Sequence, residues 1–385
     1  MVAAPAQAGD DGPDFYVSGF GSAILTSSNT DQGEFVQNSQ AAGAKSGTWR
    51  SGIDSNFGMQ STAVFNDTLS VTGQGVVRKL ATDNYRAILE WAFLKWKASD
   101  ELAFRVGRMG IPVYMISDYR FIGYSNTMLR PPVEMYAQVN IGGLDGVDAT
   151  YKHSFDDTTL TAQFGVGTHT APIVGGPRGR FTSMTALNLV LENGPITARF
   201  GRIDTEATAE DFPAFAAFAD TLAGAGYPEQ GKLFLVDHAK ASFTSLGVNV
   251  AWKNVIAQSE YAVRRSATLS IPATTSWYVM AGYRFGKFTP YFVHSTVDQD
   301  KNRQVPGLPT TGPLAPLTAV ANLIADAPLQ TTNSLGLRWN FKDSMDFKVQ
   351  LDRASPREGA GLFANAKPGF TGPVNVYAFG IDFVF

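Results

Sequence analysis

Four charged residues, Asp118, Arg120, Arg130 and Glu134, fall within one stretch, 110–143, that follows no period. On either side the chain alternates as strands do, in LAFRVGRM at 102–109 and LDGVDATYKH at 144–153. A connection this long is either functional or disordered. Its Tyr114, Tyr119, Phe121, Ile122, Tyr124, Met128, Val133, Met135 and Tyr136 are too many large apolar groups for a solvated linker. The stretch therefore reads as a loop folded into the lumen of a barrel, where charges in a narrow opening set up a field that orders water and orients polar solutes. Arg105 and Arg199 recur in matching settings, FRVGR and ARFGR, where alternation sends them inward beside a glycine, so either could line such an opening. Arg108 and Arg202 read equally well as rim residues, because long cations snorkel to interfaces.

Other chemistries are poorly served. Hydrolysis needs a nucleophile and a base held by a third group. The four histidines, His153, His169, His238 and His294, lie at strand ends or in loops without helical or metal-ligand spacing, and neither Gly-x-Ser-x-Gly nor His-Glu-x-x-His occurs. Cysteine is absent, which excludes disulfides, thiol catalysis and thiolate metal sites and fits an oxidising compartment. No catalytic residue, metal ligand or cofactor site is expected. A net charge of -3 argues against a nucleic-acid partner.

The elements that would position these charges are strands. No run approaches the roughly 18 to 20 apolar residues of a spanning helix; the best, 212–226, contains Asp220. What remains for crossing lipid is a closed barrel, whose strands hide in hydropathy because half their residues face the lumen. Alternation gives about sixteen segments, at 14–26, 48–65, 69–79, 84–97, 102–109, 144–154, 158–168, 180–192, 195–206, 239–252, 255–265, 273–285, 288–299, 330–341, 345–354 and 373–385. Short connections made of hairpin residues, such as Asn66-Asp67-Thr68, Asp156-Asp157, Asn193-Gly194 and Gly286-Lys287, alternate with mostly long ones at 27–47, 110–143, 169–179, 207–238, 300–329 and 355–372. A sandwich has no reason to gather its long loops at one end; a membrane barrel does.

The faces agree. Leu160, Ala162, Phe164 and Val166 oppose Thr161, Gln163, Gly165 and Gly167, and Leu69, Val71 and Val77 oppose Ser70, Thr72, Gln74 and Arg78. The second face lacks the Lys and Glu of a surface in bulk water and suits a wetted lumen. The last strand puts Tyr377, Phe379, Ile381, Phe383 and Phe385 on one face, which an exposed edge of a soluble sheet would not carry. Two apolar segments are expected to order at the mouth, 209–227 as a short helix and the Pro-rich 305–328 folded back on the barrel. Residues 1–13 read as a remnant around a cleavage site behind an added Met1, and 14–385 as one barrel domain.

The strand count, the long third loop and the terminal Phe385 together resemble the outer-membrane porins of Gram-negative bacteria, over the whole chain. The resemblance implies a sixteen-stranded all-β transmembrane barrel with an inward third loop, passing small hydrophilic solutes and ions by passive diffusion. It implies surrounding outer-membrane lipid and lipopolysaccharide, a homotrimer, and recognition of Phe385 by the barrel assembly machinery. It places Asp118 and Glu134 on an acidic loop facing a basic ladder of Arg50 on the second strand, Arg86 on the fourth and Lys152 on the sixth. The sequence departs from the family in carrying Arg120 and Arg130 on the loop, where they could instead pair with Asp118 and Glu134, and in offering only Pro132-Val133-Glu134 as an echo of the family's Pro-Glu-Phe-Gly. Two alternatives remain open at this point: a channel preferring small organic acids, and a structural or adhesion barrel with a blocked lumen.

Overall fold

A computed structural model describes residues 4–6, 12–37, 40–139, 141–174, 176–300 and 304–385, and for 4–6 the backbone alone. Sixteen strands follow in chain order: β1 Asp14–Ser28, β2 Asn56–Val64, β3 Leu69–Lys79, β4 Tyr85–Lys97, β5 Leu102–Gly110, β6 Gly143–Phe155, β7 Thr158–Pro172, β8 Arg178–Asn193, β9 Ile196–Glu210, β10 Ala239–Trp252, β11 Val255–Ser266, β12 Thr274–Tyr283, β13 Phe288–Gln299, β14 Gln330–Lys342, β15 Met345–Pro356 and β16 Val374–Val384. Each pairs antiparallel with the next, and β16 pairs with β1 from Val376↔Ser28 to Val384↔Phe20, so the sheet closes on itself. Most of the segment 1–13 lies outside the described residues; Ala4–Ala6 pairs with Phe15–Val17, beyond the point where β16 ends.

Alternation decides which side faces out. On β10, Leu246 and Trp252 are exposed while Ser245 is buried, and the exposed large side chains around the barrel include Phe104, Phe164, Tyr261, Phe292, Leu335 and Tyr377. Such a skin belongs against lipid. The seam between first and last strands is built the same way. A side chain at Gly19 or Gly21 would collide with the ring of Phe385 or Phe383, at 2.1 and 2.5 Å. Two glycines therefore let the terminal rings lie on β1, and Phe385 goes on to stack with Phe57 at 6.3 Å.

Hairpin chemistry fixes one rim. Asp156, Gly194, Lys253 and Gly286 all take positive φ, between 49° and 60°, in the tight connections of that rim. At the other rim the connections are 29–55, 80–84, 111–142, 173–177, 211–238, 267–273, 300–329 and 357–373. Two regions differ most from the expected spans. β7 and β8 run on to Pro172 and from Arg178, shrinking the loop expected at 169–179. β2 starts at Asn56 rather than 48. Residues 48–55 bend because Gln40 donates to the carbonyls of Gly52 and Ile53 (both 2.9 Å) and Ser55 donates to that of Ile24 (2.9 Å). The expected helix spans Pro213–Gly224, and 305–328 holds a second, Ala315–Ala325. They pack together through Leu222, Phe234, Val305, Leu308, Ala321 and Ala325.

One sector of the wall is incomplete. Pairing between β4 and β5 ends at Ala92↔Arg108, because beyond Gly110 the chain turns inward. Residues 85–89 and Trp91 of β4 keep β3 as their ladder partner, and Arg108 reaches the Leu89 carbonyl across the break at 3.3 Å.

Candidate functional site: a half-filled lumen

The inner loop, 111–142, folds as short turns, Ser117–Tyr119 and Gly123–Ser125, and a one-turn helix, Val133–Tyr136. Four clusters fasten it to β11–β16 and the first loop. Glu260 of β11, fully buried, accepts the Met115 backbone N–H (2.6 Å), the Tyr136 hydroxyl and the Tyr278 hydroxyl (3.0 Å). Lys348 of β15 donates to the carbonyls of Gly123 and Asn126, both at 2.7 Å, and pairs with Asp382 at 2.9 Å. Arg130 sits between Asp54 of the first loop (2.7 Å) and Asp352 of β15. Burial alone would lower its guanidinium, but the two carboxylates carry it above its ordinary value. Glu134 takes bonds from Ser295 (2.7 Å), Gln330 (2.7 Å) and Thr332.

Between these anchors the loop is dry. Ile111, Val113, Tyr114, Met128 and Met135 pack against inward-facing Ile203, Phe243, Tyr278, Met280, Tyr291 and Val293. Burial pushes the Tyr119 phenol up to about 12. The expected wetted inner face is thus corrected for this half of the barrel, where apolar side chains on β8–β13 meet an apolar loop and polar groups such as Glu260 and Ser295 are taken up by the loop.

The remaining space is an opening of about 280 Å³ between the loop and the wall of β3–β7. Arg78, Glu90, Arg108 and His169 line it on the wall side, with Arg120 and Phe121 on the loop side. Glu90 lies at a bulge: Gln74 pairs with Trp91 and Gly75 with Leu89, leaving Glu90 without a ladder partner. It takes Arg78 at 3.0 Å and Arg120 at 2.9 Å. Arg108 is matched by Asp145 at 2.6 Å.

The residues expected at the constriction are therefore dispersed. Arg120 borders the opening. Glu134 and Arg130 are buried anchors, 0% and 3% exposed, since each finds several polar partners on the wall. Asp118 pairs at 2.9 Å with Arg199, which also donates to Asn188 at 2.8 Å, away from the opening. Arg105 faces inward, but its guanidinium is bound to Asp148 (Nε at 3.0 Å). Arg50 lies in the first loop rather than on a strand and binds Asp83 at 2.6 Å. Arg86 is exposed opposite Arg78, and Lys152 is exposed close to the short turn at 156–157. The loop arginines pair with wall acids, not with Asp118 and Glu134, because the loop crosses to carboxylates that the barrel holds in place. Sequence reasoning missed Glu90 and passed over Arg78 as one polar position among several. The one available signal was a lone carboxylate inside the apolar strand YRAILEWAFLKWK.

No protein-family model matches the sequence, and a search of curated proteins finds no match. Solved structures do align over nearly the whole chain. Salmonella typhi OmpF, determined in complex with daunomycin, matches at a TM-score of 0.59 and 14% identity, over 99% of this chain and 100% of that one. The outer membrane channel DcaP of Acinetobacter baumannii gives 0.58 and 12%, over 99% of each. Vibrio cholerae OmpT in its trimer form gives 0.55 and 12%, over 96% and 99%. At these identities the likeness is one of fold: the chain has the sixteen-stranded architecture of outer-membrane porins.

Proposed function

We propose that this porin-fold barrel is a water-filled channel of the bacterial outer membrane through which small hydrophilic solutes and ions diffuse passively. The opening beside the inner loop carries the reading: it is flanked by charged groups on wall and loop, while the rest of the lumen at that level is packed. A barrel serving only structure or adhesion has no use for charges facing a gap. Four anchors hold the loop without closing the space, so transport needs no moving part.

Assembly into a homotrimer fits the incomplete wall at β4–β5, whose unpaired edge is poor company for lipid and better covered by a second copy. Loop 80–84 is short, and its Asp83 is already held by Arg50 and Lys79. Surrounding lipid and lipopolysaccharide, and recognition of Phe385 during assembly, belong to the same reading.

Planar-bilayer recording tests the channel. Stepwise, voltage-linear current on addition of purified barrel is expected; electrically silent insertion would leave only the structural alternative.

A further inference from the structure

The side of the opening that a solute meets is cationic. Of the charged side chains lining it, Lys79 is taken by Asp83 at 3.0 Å, Arg108 by Asp145, and Asp54 by the buried Arg130. What is left is two guanidiniums on one carboxylate, Arg78 and Arg120 on Glu90. Exposure separates the signs: the Glu90 side chain is 6% exposed, against 21% for Arg78 and 28% for Arg120. The carboxylate lies behind its partners.

Much of their hydrogen-bonding capacity is unused. A guanidinium carries five N–H donors. Among the described residues Arg78 donates only to Glu90, through Nη2. Arg120 uses Nη2 for Glu90 and the Gly142 carbonyl, both at 2.9 Å. Both guanidiniums lie over the Phe121 ring, Arg78 at 4.3 Å and Arg120 at 4.4 Å from its centroid. That ring fixes the two forks beside each other, one from the wall and one from the loop.

We infer that Arg78, Arg120 and Phe121 form a solute subsite for small monocarboxylates, with Glu90 as the positioning residue that sets its net charge at one positive. The inference rests on the channel reading and names its solute class. A planar carboxylate matches the fork of an arginine, and one negative charge balances the cluster. A second charge on the same solute meets the field of Glu90 and gains less. Neutral solutes of equal size gain nothing from the arginines.

Bilayer recordings separate the two readings, because absence of current would count against the channel itself, whereas the selectivity of an existing current reports on the subsite. Under a potassium chloride gradient the reversal potential of the unaltered protein is expected to show anion preference. Arg78→Gln or Arg120→Gln should lower the anion-to-cation permeability ratio several-fold, and the double variant should bring it below unity, since Glu90 is then uncompensated. Glu90→Gln should raise it. In liposome-swelling assays potassium acetate and benzoate should enter several-fold faster than potassium succinate or a neutral pentose, an advantage lost in the double variant. Cation preference in the unaltered protein, a ratio unmoved by the double variant, or pentose entry as fast as acetate would each overturn the subsite. Normal heat-modifiable migration of every variant shows that its barrel has formed.

Discussion

The two halves of the lumen are built on the same alternating strands and have opposite interiors. On β8–β13 the inward positions include Met184, Ile203, Phe243, Tyr278, Met280 and Tyr291, and the inner loop covers them. On β3 and β4 they include Thr72, Gln74, Arg78 and Glu90, and the loop meets them where Ile122 packs on Val76, Phe121 lies under Arg78 and Arg120 crosses to Glu90. The same strand geometry thus yields a packed half and a half that keeps an opening lined by charged groups, and side-chain chemistry draws the line. The plug is held as a protein core is held, by apolar burial pinned with satisfied polar groups.

The comparison breaks most completely if the loop is released. Arg130→Ala leaves Asp54 and Asp352 facing each other in a buried site, a loss of about 3–5 kcal/mol for an uncompensated buried charge. The expected outcome is a larger and noisier single-channel conductance, as the two halves become alike; conductance equal to that of the unaltered protein would show that the other anchors suffice. A smaller effect should fall on the wall and spare the plug. Gly21→Val puts a side chain where Phe383 lies, and displacing that ring costs about 1–3 kcal/mol. Folding yield into detergent or vesicles should drop, while channels that do form keep their ion selectivity.

The smallest effect concerns the clasp of Asp83 with Arg50 and Lys79 beside the opening. Hydrogen bonds from both hold the Asp83 carboxyl below its usual range. A depressed carboxyl contributes stability above its unfolded value of about 3.9 and loses it as pH falls through the folded value. The clasp should therefore persist through mildly acid solution and open below the ordinary carboxylate range. For so exposed a pair the contribution is under about 1 kcal/mol. Carboxyl NMR titration of Asp83 checks the direction, with Asp83→Asn as the control.

Much of the barrel was legible in the chain. Turn residues such as Asp156 and Gly194, and the alternation in LTAQFGVG or NVYAFGIDFVF, act over two to four residues and need no distant partner to be read. The inner loop was legible as an object too, since Tyr114, Met128 and Met135 could not be left in water. Its contacts were not. Asp118 and Glu134 carried the right charge for a constriction, yet one pairs with Arg199 and the other is buried among Ser295, Gln330 and Thr332. Arg50 alternated like a strand residue but follows the bend set by Gln40.

The sequence by itself determined the number of strands, the rim that turns tightly and the face that meets lipid, because these follow from a period of two and from local backbone preference. Only the tertiary structure decided which half of the lumen is filled and that Glu90 lies between Arg78 and Arg120. Those outcomes depend on closing the ring and on where the inner loop crosses it, so that each charge takes the partner the closed barrel brings within reach, not one given by its place in the chain.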